Sequence, residues 1–193
     1  MKSVYLVLDM QNDLVGEDGP SANSPMGEQV RTRQVLAKTA AAIAKARSAG
    51  LSIGFVRVGF SPGYPECPPN SPLFAPAKAH NLFRLGTPGT EIHAQLARRE
   101  GDWLITKHRV SPFYATDLDA YLRANAIERI FCSGVSTQAV VQATVRDGHD
   151  RDYAMVLLED CCAAASAQEH ANSVGSLARF CQATTSDAVD FSK

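Results

Sequence analysis

The sequence predicts an α/β protein built on a parallel sheet with helices on both faces. Three observations carry that reading. Short apolar runs alternate with longer stretches of helical periodicity. The short runs are continuously apolar rather than alternating, as strands buried on both faces are. The chain has 193 residues, 45% of them hydrophobic, enough for a single domain with a substantial core. Residues 1–193 show no internal repeat and no linker-like stretch, so they are read as one domain.

The first strand is SVYLVLD, ending at Asp9. Residues 28–49 are alanine-rich and place Val30, Val35, Leu36, Ala40 and Ile43 at helical spacing, with Gly50 as the stop. LSIGFVRV is a second strand. Residues 60–77 hold six of the ten prolines and are expected to run irregularly over the surface, as a lid or as an oligomer contact. TEIHAQLARR reads as a short helix and DWLITK as the third strand. Thr116 and Asp119 form a capping-box pattern opening a helix over 116–125. RIFCSG, a helix over STQAVVQATVRDG, and YAMVLLED follow. Ser166 and Glu169 cap a last helix to about Arg179, and QATTS is a candidate sixth strand.

Composition excludes several function classes. Nineteen basic against twenty acidic residues give a net charge of −1, without the basic excess of a nucleic-acid binder. Apolar stretches fall far short of the roughly 20 residues that span a bilayer. The N-terminus runs from an apolar segment into acidic residues and lacks a signal-peptide cleavage site, so a cytoplasmic protein is expected. The five cysteines follow no CxxC spacing and read as free thiols. The five histidines lack ligand spacing, so neither a metal nor another cofactor is expected.

In a parallel sheet, ligands bind beyond the carboxyl ends of the strands. That rule selects Asp9, Arg57, Lys107, the Ser133–Thr137 turn and Asp160. Asp9 precedes Gln11, Asn12 and Asp13, with Gln11 a candidate substrate contact. A strand-end carboxylate is desolvated, and Lys107 is a cation able to sustain its charge, so the pair can pass a proton. The alternative is a turn-capping Asp9 and a solvated Lys107. Val135, Ser136 and Thr137 join a strand to a helix N-terminus, whose free N–H groups suit an anion or developing oxyanion. The alternative there is an ordinary turn with Ser136 or Thr137 as N-cap.

VLDMQND at 7–13, TKHRVSPF at 106–113 and SGVSTQAVVQATVRDG at 133–148 resemble the three signature blocks of the isochorismatase-like hydrolases, also called the cysteine hydrolase superfamily. GTPGTEI at 86–92 and LLEDCCAA at 157–164 match in the same order. The resemblance implies a Rossmann-like, three-layer α/β/α fold with a six-stranded parallel sheet ordered 3-2-1-4-5-6. It implies a homodimer or larger homo-oligomer, a catalytic Asp9 and Lys107, and a cis peptide at Val135–Ser136. The family's nucleophilic cysteine falls at Val140, and valine cannot attack a substrate. Amidase members need that thiolate. True isochorismatases lack it and hydrolyse a vinyl ether by proton transfer and attack of water.

Arg57, Arg109, Phe113 and Tyr114 are further candidates for the pocket. Arg109 lies two residues past Lys107 and suits an anionic substrate, with a solvated surface role as the alternative. Cys161 and Cys162 follow the fifth strand and are candidates for a relocated nucleophile. The expected function is hydrolysis of a small, anionic molecule by Asp9 and Lys107 without a cysteine. The alternative is a silent relative that binds a small molecule or serves as an oligomeric scaffold.

Overall fold

A computed structural model describes residues 1–192. Six parallel strands form one sheet in the order β3-β2-β1-β4-β5-β6. They are β1 (Ser3–Leu8), β2 (Ser52–Val58), β3 (Trp103–Lys107), β4 (Arg129–Gly134), β5 (Ala154–Leu158) and β6 (Gln182–Thr184). The order reverses at β1, which pairs with β2 on one side and β4 on the other. Tyr5, Val7 and Phe131 face one buried layer, and Val4, Leu6, Leu8 and Cys132 the other, so apolar side chains leave both sheet faces. That two-sided burial is why the strands read as unbroken apolar runs.

The helices are α1 (Asn12–Val15), α2 (Pro25–Thr32), α3 (Val35–Ser48), α4 (Ala75–Ala79), α5 (Leu118–Ala124), α6 (Gln142–His149) and α7 (Ala167–Leu177). The single helix expected over 28–49 is two. Gln34 breaks it with φ 56°, and Arg33 is drawn away to the Cys162 and Glu159 carbonyls and the Glu159 carboxylate. Periodicity cannot register such a capture from another part of the chain. Gly50 ends α3 as expected, at φ 79°.

The helix expected in TEIHAQLARR is replaced by two 3₁₀ turns, Pro88–Thr90 and Ala94–Leu96. Between them Ile92 pairs with Gln11, and the Asn12 and His93 N–H groups donate to Glu91 and Met10 carbonyls, which holds the backbone extended. The proline-rich stretch ends in a short helix, α4, with Pro76 in its first turn, where a missing N–H costs nothing. At α5 no capping box forms: Asp117 is the N-cap, and Thr116 Oγ1 accepts from the Leu118 N–H. At α7 Ser166 caps the Glu169 N–H at 3.1 Å, while the Glu169 carboxylate accepts from Ala165. A π turn over Thr137–Val141 precedes α6 in place of a uniform helix.

Candidate active site

A cavity of about 290 Å³ opens at the carboxyl edge of the sheet. It lies where the strand order reverses, at the crevice that an open parallel sheet leaves for a ligand. Asp9, Val58, Lys107, Val135 and Ser136 bring the ends of β1, β2, β3 and β4 to its floor. Register explains the convergence: Leu8 stands beside Val56 and Gly134, and Val58 beside Lys107. Asp9 turns off β1 at φ 56°, its N–H held by the Val56 carbonyl at 2.8 Å.

Lys107 Nζ lies 2.8 Å from Asp9 Oδ2, with both side chains almost wholly buried, at 2% and 7% exposure. Nζ also donates to the Arg109 carbonyl at 3.1 Å. An ammonium has three donors, so one remains beyond these two. Asp9 Oδ1 is buried and has no hydrogen-bond partner among the described residues. Burial raises the Asp9 carboxyl above its ordinary value, against the opposing charge and hydrogen bond of Lys107. The site therefore holds a desolvated carboxylate with one oxygen anchored and one unengaged.

The β4 turn completes the floor. A Cβ on Gly134 would lie 2.2 Å from the Leu8 carbonyl oxygen, so only glycine lets β4 approach β1 this closely. The Val135–Ser136 peptide is cis. Ser136 has the backbone of an N-cap but makes no side-chain cap bond, and it lines the cavity. Thr137 faces inward instead. Its N–H donates to the Ala163 carbonyl at 2.8 Å and its hydroxyl pairs with His170 Nδ1 at 2.9 Å. It is a strut under the turn, with its N–H already engaged. Val140 lines the cavity while packing in the core layer beside Val141 and Val145.

Several sequence candidates lie elsewhere. Gln11 is fully buried and ties β1 to β2, its side-chain amide exchanging bonds with the Val58 N–H and carbonyl at 2.8 and 3.0 Å. Arg57 extends toward Thr106, Thr90 and Glu91, because its neighbour Val58 takes the cavity side of β2. Arg109 donates to the Glu66 and His108 carbonyls; β3 ends at Lys107, so strand alternation no longer aims residue 109. Phe113 is buried against Tyr153, and Tyr114 is exposed at the surface. Neither arginine is among the residues that line the cavity.

The remaining walls escaped the sequence reading. Leu73 and Phe74 come from the proline-rich stretch, Leu82 and Phe83 from the loop after it, and Leu14 and Met26 from the segment after β1. Apolar residues in loops were the one available signal. The proline-rich stretch is thus a wall of this cavity.

Cys161 and Cys162 are fully buried on opposite faces of the sheet, and neither lines the cavity. Burial pushes the Cys161 thiol up to about 12 and Cys162 well above its ordinary value, the opposite of what a nucleophile needs. His108 is held by the Gly59 carbonyl and stacks on Phe60. Among the described residues no three His, Cys, Asp or Glu side chains gather as a metal site requires, and no helix is long and apolar enough to cross a membrane.

The chain resembles known proteins over most of its length. It is 33% identical over 179 residues to a ureidoacrylate amidohydrolase, RutB, of Methylorubrum extorquens, covering 82% of this chain and 68% of that one. It is 31% identical to the isochorismatase family protein YecD of Escherichia coli O157:H7, covering 89% and 85% of the two chains. Among solved structures, an isochorismatase-like hydrolase from Alkaliphilus metalliredigens superposes with a TM-score of 0.77 at 25% identity, covering 97% and 96%. An N-carbamoylsarcosine amidase from Thermoplasma acidophilum shares the fold, with a TM-score of 0.78 at 24% identity and coverage of 98% and 99%. The isochorismatase domain model matches residues 3–188, and the chain belongs to the isochorismatase family.

Proposed function

We propose that this protein hydrolyses a small molecule by proton transfer through Asp9 and Lys107, without a cysteine nucleophile. The observation that carries the reading is Asp9 Oδ1, a buried carboxylate oxygen with no hydrogen-bond partner among the described residues, on a side chain that lines a cavity and whose other oxygen is fixed 2.8 Å from Lys107. Buried polar atoms are otherwise nearly always paired, and an unpaired one at a cavity suits a substrate or water proton. On this reading Asp9 takes a proton from water as the water oxygen bonds to the electrophilic carbon. The bond to the leaving group breaks, and Asp9 returns the proton to that group. The Lys107 ammonium keeps the carboxylate charged between the two transfers.

Val140 stands where the family resemblance places the attacking cysteine, and it contributes an apolar wall instead. Similarity to an enzyme named as a ureidoacrylate amidohydrolase supports hydrolytic chemistry at a carbon–nitrogen bond, and a vinyl ether is the other class to test. The reading takes the chain as one catalytic domain, cytoplasmic and assembled as a homodimer or larger homo-oligomer, which light scattering would measure. The valine also favours a second reading, a silent relative that binds its ligand without turnover.

A turnover screen over vinyl ethers, amides and ureas, run beside a thermal-shift screen of the same compounds, separates the two. Turnover that Asp9→Asn abolishes supports the hydrolase. Stabilisation by a ligand that is never consumed supports the binder.

A further inference from the structure

We infer that the cavity takes an uncharged ligand with an apolar, ring-sized body and one polar end, and that it rejects carboxylates and phosphates. The inference deepens the proposed function and rests on its assignment of the site.

Charge comes first. Of the fourteen described residues lining the cavity only Asp9 and Lys107 are ionisable, and they lie 2.8 Å apart and cancel. Arg57 and Arg109 are engaged with other groups outside it. Among the described residues no second cation lines the cavity to hold a ligand anion, and a desolvated anion beside Asp9 would meet a like charge. Moving a charge out of water into such surroundings is unfavourable unless it is paired.

The walls give the other half. Eleven of the fourteen lining residues are apolar, which leaves Asp9, Lys107 and Ser136 as one polar patch at the floor. Phe74, Leu82 and Phe83 face this space from one side and Leu14 and Met26 line it from the segment after β1. A cavity of about 290 Å³ equals about ten waters at roughly 30 Å³ each, room for one substituted ring.

The wall is anchored. The Phe83 N–H donates to the buried Asp13 carboxylate at 2.7 Å, with Phe83 at φ 56°. A Cβ on Gly89 would lie 2.1 Å from that carboxylate, so glycine is what lets the 86–92 segment approach Asp13 this closely. Phe74 packs edge-on against Phe60, centroids 5.8 Å apart. At the mouth Leu73 is 58% exposed, an apolar side chain that a bound ring would cover.

Isothermal titration of the full chain with benzamide, phenylurea, benzoate and acetamide tests this. At least one of the two neutral aromatic probes should bind at least tenfold more tightly than benzoate and than acetamide. Asp9→Asn leaves the Lys107 charge uncompensated, so the preference should swing toward benzoate by tenfold or more. Phe83→Ala should weaken the aromatic probes about tenfold and leave acetamide unchanged, which gives an independent arm if the Asp9 variant does not fold. Arg57→Ala and Arg109→Ala should leave benzoate affinity unchanged.

Benzoate binding more tightly than both neutral aromatic probes, a loss of benzoate affinity in either arginine variant, or failure of both neutral aromatic probes to bind overturns the inference. Binding is read here without turnover, so the two ideas fail separately. A neutral ligand held but never hydrolysed removes the proposed chemistry and leaves this inference. Efficient hydrolysis of a carboxylate-bearing substrate does the reverse.

Discussion

Two ionic clusters sit near the carboxyl edge of the same sheet, and they are built differently. Beside β5, Arg33, Glu159 and His170 form a ring of contacts. Arg33 Nη2 lies 3.2 Å from Glu159 Oε2 and 3.0 Å from His170 Nε2, and it also reaches the Glu159 carbonyl. His170 Nε2 also lies 3.1 Å from Glu159 Oε2, and Nδ1 pairs with the Thr137 hydroxyl at 2.9 Å. Beside β1, Asp9 and Lys107 are more deeply buried yet leave Asp9 Oδ1 without a partner among the described residues. The first cluster is used up in holding α2, α7 and the Thr137 turn together. The second leaves one carboxylate oxygen unpaired among the described residues, on a side chain that lines a cavity. Between these two clusters the difference lies in satisfaction of hydrogen bonds more than in charge.

The largest expected effect breaks the second cluster. Lys107→Ala strands a buried carboxylate and should cost about 3–5 kcal/mol in chemical denaturation. Replacing both partners, Asp9→Leu with Lys107→Met, should cost less than that single change, because no charge is left unpaired. Arg33→Ala should cost about 1–3 kcal/mol, since its partners are partly exposed and water can replace the lost donors. A Lys107 effect no larger than the Arg33 effect would remove the contrast between the clusters.

Acid sharpens the comparison, because the two clusters titrate in opposite senses. Burial lowers the His170 pKa, so the unfolded chain binds that proton more tightly than the fold does. Stability should then fall as pH drops through about 6.5, and His170→Gln should flatten that slope. The Asp9 pKa is raised, so the fold holds that proton more tightly than the unfolded chain. Its contribution is lost as pH rises from the ordinary carboxylate value to the raised one. The acid limb of turnover should therefore sit above the ordinary 3.8, with activity appearing only once Asp9 is ionised. A limb at or below that value would place the proton transfer elsewhere.

The smallest effect concerns thiols. Iodoacetamide should leave wild-type turnover largely intact, because no cysteine among the described residues lines the cavity. In Val140→Cys the new thiol would stand beside Lys107 and Asp9, and it should alkylate about tenfold faster than the native cysteines. Peptide mass mapping after brief treatment reads this directly. Preferential labelling at Cys161 or Cys162, with loss of turnover and protection by substrate, would restore the relocated nucleophile.

The sheet was legible in the sequence because a parallel strand buried on both faces leaves a continuous apolar run, and all six runs became strands. The meeting of Asp9, Lys107, Val135 and Ser136 at one cavity follows from their places at the ends of neighbouring strands, which the sequence marks. Arg57 lies off the cavity because β2 sends alternate side chains to opposite faces, and the sequence does not say which face is open. Arg109 lies off it because β3 ends at Lys107 and strand alternation stops there. The helix break at Gln34 and the extended pairing of Ile92 depend on contacts from distant segments, which no local pattern records. The apolar walls from residues 73–83 lie in loops, where hydrophobicity has no period to read.

The central claim is that Asp9 moves the proton and that no thiol takes part. It is tested most directly by the initial rate of hydrolysis of the best substrate from the vinyl ether, amide and urea panel. Wild type and Asp9→Asn are compared, both after exhaustive iodoacetamide treatment and with folding checked in parallel. The account predicts that treated wild type keeps its rate and that Asp9→Asn loses about 10²–10⁴-fold. A treated wild type that is inactive, or an Asp9→Asn variant that turns over at the wild-type rate, would contradict it.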